Sequence, residues 1–261
     1  MFTPAANLTM MFKEVDFKKR FAKAAACGFK AVEMLWPYEL SKAELKHLLD
    51  DNGLTLALFN TLAGDVSKGQ WGKAALPGEF AEAKKDIDLA LEYAVYSGCK
   101  TVHIMSAVVK GLNKDLCYAA MEESLTYAAN AAAKEGITVT IEALCPEVKP
   151  DYLYKSQYET LALVNKLNLK NLKVQFDFFH AQMVDGGISK FLTANIDKVG
   201  HVQIASVPDR HEFDHGELDG NYCLNLLNTL NYQGFVGCEY NPQNTTEEGL
   251  AFLTPYLQNR T

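Results

Sequence analysis

Apolar positions along this chain follow two alternating rhythms: short runs of consecutive apolar or β-branched residues, and longer stretches with apolar residues at helical spacing. The runs read as buried strands and the stretches as amphipathic helices. A strand near 3–8 is followed by a helix over 17–27, stopped by Gly28, and a strand over 31–34. Ser41 and Glu44 form a capping-box pattern opening a helix that runs to about 52 and ends at Gly53. A strand over 54–59 leads into 63–78, which is Gly-rich and aperiodic. It reads as a long loop placed to cover a site as a lid. A helix over 79–96 ends at Gly98 and a strand covers 101–105. A long helix over 113–135 ends at Gly136, before the strand 137–141 that delivers Glu142. A second long loop, 143–155, then precedes a helix at 156–167, a strand at 172–177, a helix at 188–196 and a strand at 199–203. A helix at 221–230, a strand at 235–239 and a closing helix at 246–257 complete the chain.

Eight strand segments alternating with helices over 261 residues predict an α/β fold, a (β/α)8 TIM barrel built as a single domain over 1–261. A doubly wound open sheet is the competitor. It is disfavoured because no Gly-x-Gly-x-x-Gly follows the first strand, and no nucleotide cofactor is expected.

In a parallel barrel every strand C-terminus points to one face, so strand-end residues converge. Glu142, Asp177, Gln203 and Glu239 all stand at such ends. Any one of them alone would ordinarily be a helix cap or a loop ion-pair partner. Together they form an oxygen-only donor set, which suits one hard divalent cation, Mg2+ or Mn2+, better than zinc. Two facing carboxylates also suit a proton transfer between neighbouring carbons through an enediolate, with Glu142 and Glu239 as the catalytic pair. His180, expected in a loop after Asp177, could hydrogen-bond a substrate oxygen, and Arg210 could clamp a carboxylate. Loop 143–155 carries Glu147 as a further pocket-wall residue.

Composition narrows the field. Hydrophobic residues make up 48% of the chain, enough for one large core, and the net charge of −7 argues against nucleic-acid or anionic-membrane binding. An anionic substrate therefore needs a local cationic pocket. No secretory leader or bilayer-length apolar stretch is seen, and six scattered cysteines without Cys-x-x-Cys spacing suit reduced thiols, so a soluble cytoplasmic protein is expected. Self-association into a homo-oligomer is left open. His211-Glu212-Phe213-Asp214-His215 matches a zinc-protease pattern. Pro208 before it, Gly216 after it and the lack of flanking helical periodicity make a solvated loop the better reading.

Several stretches carry a family resemblance when taken together: 7–12 (NLTMMF), 28–33 (GFKAVE), 174–180 (VQFDFFH), 200–205 (GHVQIA) and 237–243 (GCEYNPQ). Through nearly its whole length the chain resembles the hydroxypyruvate isomerases, within the xylose-isomerase-like barrel superfamily that also holds ketose 3-epimerases. The resemblance implies interconversion of hydroxypyruvate and 2-hydroxy-3-oxopropanoate, a small anionic hydroxy-keto acid, with Glu142 and Glu239 as proton donor and acceptor. It also implies metal ligation by Glu142, Asp177 and Glu239, with Gln203 at a fourth position that the epimerases usually give to histidine. An amide binds transition metals more weakly than imidazole, so a strict metal requirement is not implied. The alternative readings are a ketose 3-epimerase using the same carboxylates, a superfamily barrel acting on abasic DNA, against which six histidines and a net charge of −7 speak, and a non-catalytic small-molecule-binding barrel.

Overall fold

The computed structural model describes residues 1–257. Strands β1 (Thr3–Asn7), β2 (Ala31–Glu33), β3 (Thr55–Asn60), β4 (Thr101–His103), β5 (Thr138–Glu142), β6 (Leu172–Asp177), β7 (Val199–Ile204) and β8 (Phe235–Cys238) form one closed parallel barrel. The ring closes where β1 pairs with β8, Thr3 opposite Phe235 and Ala6 opposite Cys238. The helices are α1 (Phe17–Ala26), α2 (Lys42–Asp51), α3 (Phe80–Ser97), α4 (Lys114–Ala133), α5 (Gln157–Leu167), α6 (Phe178–Val184), α7 (Ile188–Asn195), α8 (Gly220–Thr229) and α9 (Thr254–Leu257).

Local sequence explains most of the boundaries. The Ser41 hydroxyl accepts from the Glu44 N–H while the Glu44 carboxylate accepts from the Ser41 N–H, completing the expected capping box. Two expectations fail. His180 lies on a helix, not in a loop, because Asp177 accepts the Phe179 N–H at 2.8 Å and so caps α6. The closing helix is broken into a 3-10 stretch, Glu248–Leu253, followed by the short α9. Gly249 weakens a regular helix there, and Pro255 cannot donate to one. The loop 63–78 also holds a 3-10 turn, Val66–Lys68, and buries Ala74 and Ala75.

Two cores result. The large one lies between sheet and helices, filled by side chains such as Phe21, Phe59, Phe176 and Leu224. A small separate layer, Ala5, Ala31 and Ala57 with Phe235 against it, belongs to adjoining strands. Two residues beyond those alanines, on the same side of β1 and β2, stand Asn7 and Glu33, both buried. The barrel thus passes from apolar to polar along its axis. Gly237 makes room for this change, since a Cβ there would lie 2.1 Å from a Glu33 carboxylate oxygen. Gly237→Ala is therefore expected to destabilise the protein by about 1–3 kcal/mol. An unchanged urea midpoint would show that Glu33 moves aside freely.

Candidate active site

Every strand contributes a polar group at or next to its C-terminal end: Asn7, Glu33, Asn60, His103, Glu142, Asp177, Gln203 and Glu239. They sort into two levels. The deeper one is a buried hydrogen-bonded network. Thr140 donates to the Gln175 carbonyl at 3.0 Å, Gln175 to the Gln203 carbonyl at 2.7 Å, and Gln203 to Glu33 at 3.0 Å. Glu33 also accepts from Asn7 at 3.0 Å and pairs with His201 at 2.7 Å.

The outer level opens into a cavity of about 150 Å³ whose lining includes Asn60, Trp71, His103, Glu142, Lys149, His180, Arg210 and Glu239. Arg210 organises its floor, with Nη2 3.0 Å from Glu239 and 3.4 Å from Asp177 and the guanidinium 5.1 Å from the Phe179 ring centroid. The Arg210 backbone is left-handed at φ 58°, a strained conformation for a non-glycine residue, and is fixed by hydrogen bonds on both sides. Its N–H donates to Ser206 and its carbonyl accepts from Asn241. The loop carrying Arg210 also holds the His-Glu-x-x-His match, which is not helical. The expectation of a solvated loop holds only in part, because Glu212 and Phe213 are buried and the Glu212 carboxylate accepts the Gln243 N–H.

Burial governs the acids. It pushes Glu142 well above the ordinary glutamate range, reinforced by the charges of Glu239 and Asp177. It raises Glu239 to about 8 despite the opposing pull of Arg210, and it raises Asp177 as well. Two histidines are held neutral by the same cause: His103 is pushed down to about 3, and His180 falls well below its usual value. The His180 tautomer follows from its neighbours. Its Nδ1 accepts the Cys145 N–H at 3.1 Å, with the Cys145 sulfur 3.2 Å away, so the proton sits on Nε2, the nitrogen 3.6 Å from Asp177.

Donor atoms of Glu142, Asp177 and His180 lie within 4.8 Å of one another, the grouping of potential metal ligands found among the described residues. With Nε2 protonated, His180 is a hydrogen-bond donor and not a ligand, which leaves the carboxylates. These fit a hard divalent cation. Three buried acids face one guanidinium, and Glu142 Oε1 has no hydrogen-bond partner. Gln203 stands below them with its carbonyl oxygen already accepting from Gln175.

Glu142, Asp177, His180, Arg210 and Glu239 are thus brought together. Glu147 is not. It is exposed on the turn after Cys145 and does not line the cavity, whereas Val148 and Lys149 do. Asn60, His103, Trp71 and Lys149 line the cavity without having been singled out in the sequence.

A sequence model of the family described as "Xylose isomerase-like TIM barrel" matches residues 21–256. A 2-oxo-tetronate isomerase of Haemophilus influenzae is 51% identical over 97% of this chain and 98% of its own length. A hydroxypyruvate isomerase of Escherichia coli is 38% identical over the same shares. A crystal structure from Brucella melitensis, described as an AP endonuclease of family 2, is 42% identical and superposes with a TM-score of 0.96, covering 98% of this chain and 99% of that one.

Proposed function

This chain belongs to the xylose isomerase-like TIM barrel family and is an isomerase, and from that premise we propose that it interconverts short 2-oxo and 3-oxo hydroxy acids by glutamate-mediated proton transfer. The observation that carries the reading is the pair Glu142 and Glu239. Both are buried at barrel-strand ends, of β5 and β8, around one cavity, and both are held protonated far more readily than ordinary glutamates. A four-carbon acid, 2-oxo-tetronate, is the first substrate to test, because the 51% identical relative carries that name. Hydroxypyruvate, first expected from the sequence, is the second, supported by the 38% identical relative. A nuclease reading, raised by the name of the Brucella protein, has less support from a net charge of −7.

One glutamate removes the proton from the hydroxyl-bearing carbon beside the carbonyl, giving an enediolate. The other glutamate protonates the former carbonyl carbon, and the hydroxyl proton passes from one oxygen to its neighbour. The neutral His180 offers its Nε2–H to a substrate oxygen without giving up the proton. Arg210 holds Glu239 and Asp177 in place and sets positive charge beside the developing enediolate. Glu142, Asp177 and Glu239 would hold a divalent cation, which when bound supplies Lewis-acid stabilisation of those oxygens.

Proton NMR in D2O tests the reading. The chelator-treated protein, with and without added Mg2+ or Mn2+, is expected to convert 2-oxo-tetronate and to place deuterium on the carbon that receives the proton. Absence of both conversion and exchange, with either acid and either metal, would refute it. The pH profile gives a separate prediction. With Glu239 as the base and raised to about 8, kcat/KM of the chelated enzyme should fall as pH drops through that region, not near the usual 4.5. An acid limb near 4.5 would mean that burial does not govern the pair.

A further inference from the structure

The two ends of the cavity differ in how far their cations are already paired. At the barrel end, Glu142, Asp177 and Glu239 surround the single guanidinium of Arg210, which already bridges two of them. A substrate carboxylate placed there would have to compete with Asp177 and Glu239 for a guanidinium that both already engage. At the loop end stands Lys149, which also lines the cavity and has no carboxylate within ion-pairing distance among the described residues.

We propose that Lys149 is the carboxylate-binding residue of this site, seating the acid group of the substrate at the Trp71 end and directing its reacting carbons toward Glu142 and Glu239. The assignment rests on the isomerase reading and adds to it the feature that separates an acid substrate from a neutral ketose.

Two loops hold Lys149 in place. Its own N–H donates to the Cys145 carbonyl at 3.1 Å, closing the turn that also presents the Cys145 N–H to His180. Its Nζ sits 3.6 Å from the Trp71 ring centroid, in cation–π contact. Trp71 is fixed in turn by Trp36, edge to face at 5.4 Å and 81°, and by the neighbouring Gly72. Gly72 has φ 94° and passes so near Met105 that a Cβ would lie 2.6 Å from the Met105 carbonyl oxygen. Partial burial lowers the Lys149 pKa by desolvation. An anion beside it reverses that effect, so the site is poised for one.

Calorimetric titration with glycerate, an acid with no carbonyl to react, and with glycerol, its neutral counterpart, tests the assignment in chelator-treated protein. Wild type is expected to bind glycerate. Lys149→Met should weaken that binding about 10- to 100-fold. Lys149→Arg should retain most of it, and glycerol binding should not respond to either change. Equal glycerate affinity in wild type and Lys149→Met, or no glycerate binding by wild type, overturns the assignment. The isomerase reading stands or falls separately on deuterium incorporation by the wild-type protein.

Discussion

Glu142→Gln and Glu239→Gln are each expected to lower kcat by about two decades or more, the scale for removing a general acid or base. Gln keeps the volume and one carbonyl oxygen of Glu, so the loss reports proton transfer and not packing. The same substitutions should leave the protein more stable at alkaline pH. The folded-state pKa of Glu239 is raised from 4.5 to about 8, so the native protein binds more protons than the unfolded chain between those values. Native stability therefore declines as pH rises through that window. An amide does not titrate, so the advantage of Glu239→Gln over wild type should be small near pH 4.5 and largest near pH 8. Parallel kcat assays and urea melts at the two pH values check both halves. Near wild-type turnover in both variants would remove these glutamates from the mechanism.

Arg210→Met should act in the opposite direction on stability while also abolishing turnover. It leaves Asp177 and Glu239 buried without their shared cation, and deleting one partner of a buried ion pair costs about 3–5 kcal/mol. Both acids can relieve part of this by taking up protons, so the loss should shrink as pH falls. A destabilisation that is the same at pH 5 and pH 8 would place the role of Arg210 in packing against Phe179 and not in charge.

The barrel and its acids were readable in the sequence because strand ends in a closed parallel sheet need no distant information to be placed. Each apolar run marks its own C-terminus, and topology does the rest. Asn60 and His103 obey the same rule yet were passed over. Asn60 lies one residue beyond the expected strand, and His103 lies inside the expected strand 101–105, whereas β4 ends at His103 itself. Helix α6 escaped because seven largely apolar residues, FFHAQMV, show no amphipathic period, and only the capping contact of Asp177 reveals it. Loop residues were the least legible. Whether Glu147 or Lys149 faces the cavity depends on the turn that hangs from the Cys145 carbonyl, and no periodicity encodes that turn.

The buried row beneath the acids has a direction. Thr140, Gln175 and Gln203 each pass a hydrogen to the next acceptor, and the row stops at Glu33, which when ionised has none to pass on. The orientation of both amides is thus dictated from one terminus. Gln203 meets the chamber above it in a single pose, without the two-fold ambiguity of a free carboxamide. A neutral amide at position 33 could donate as well as accept, and the whole row could then run backwards.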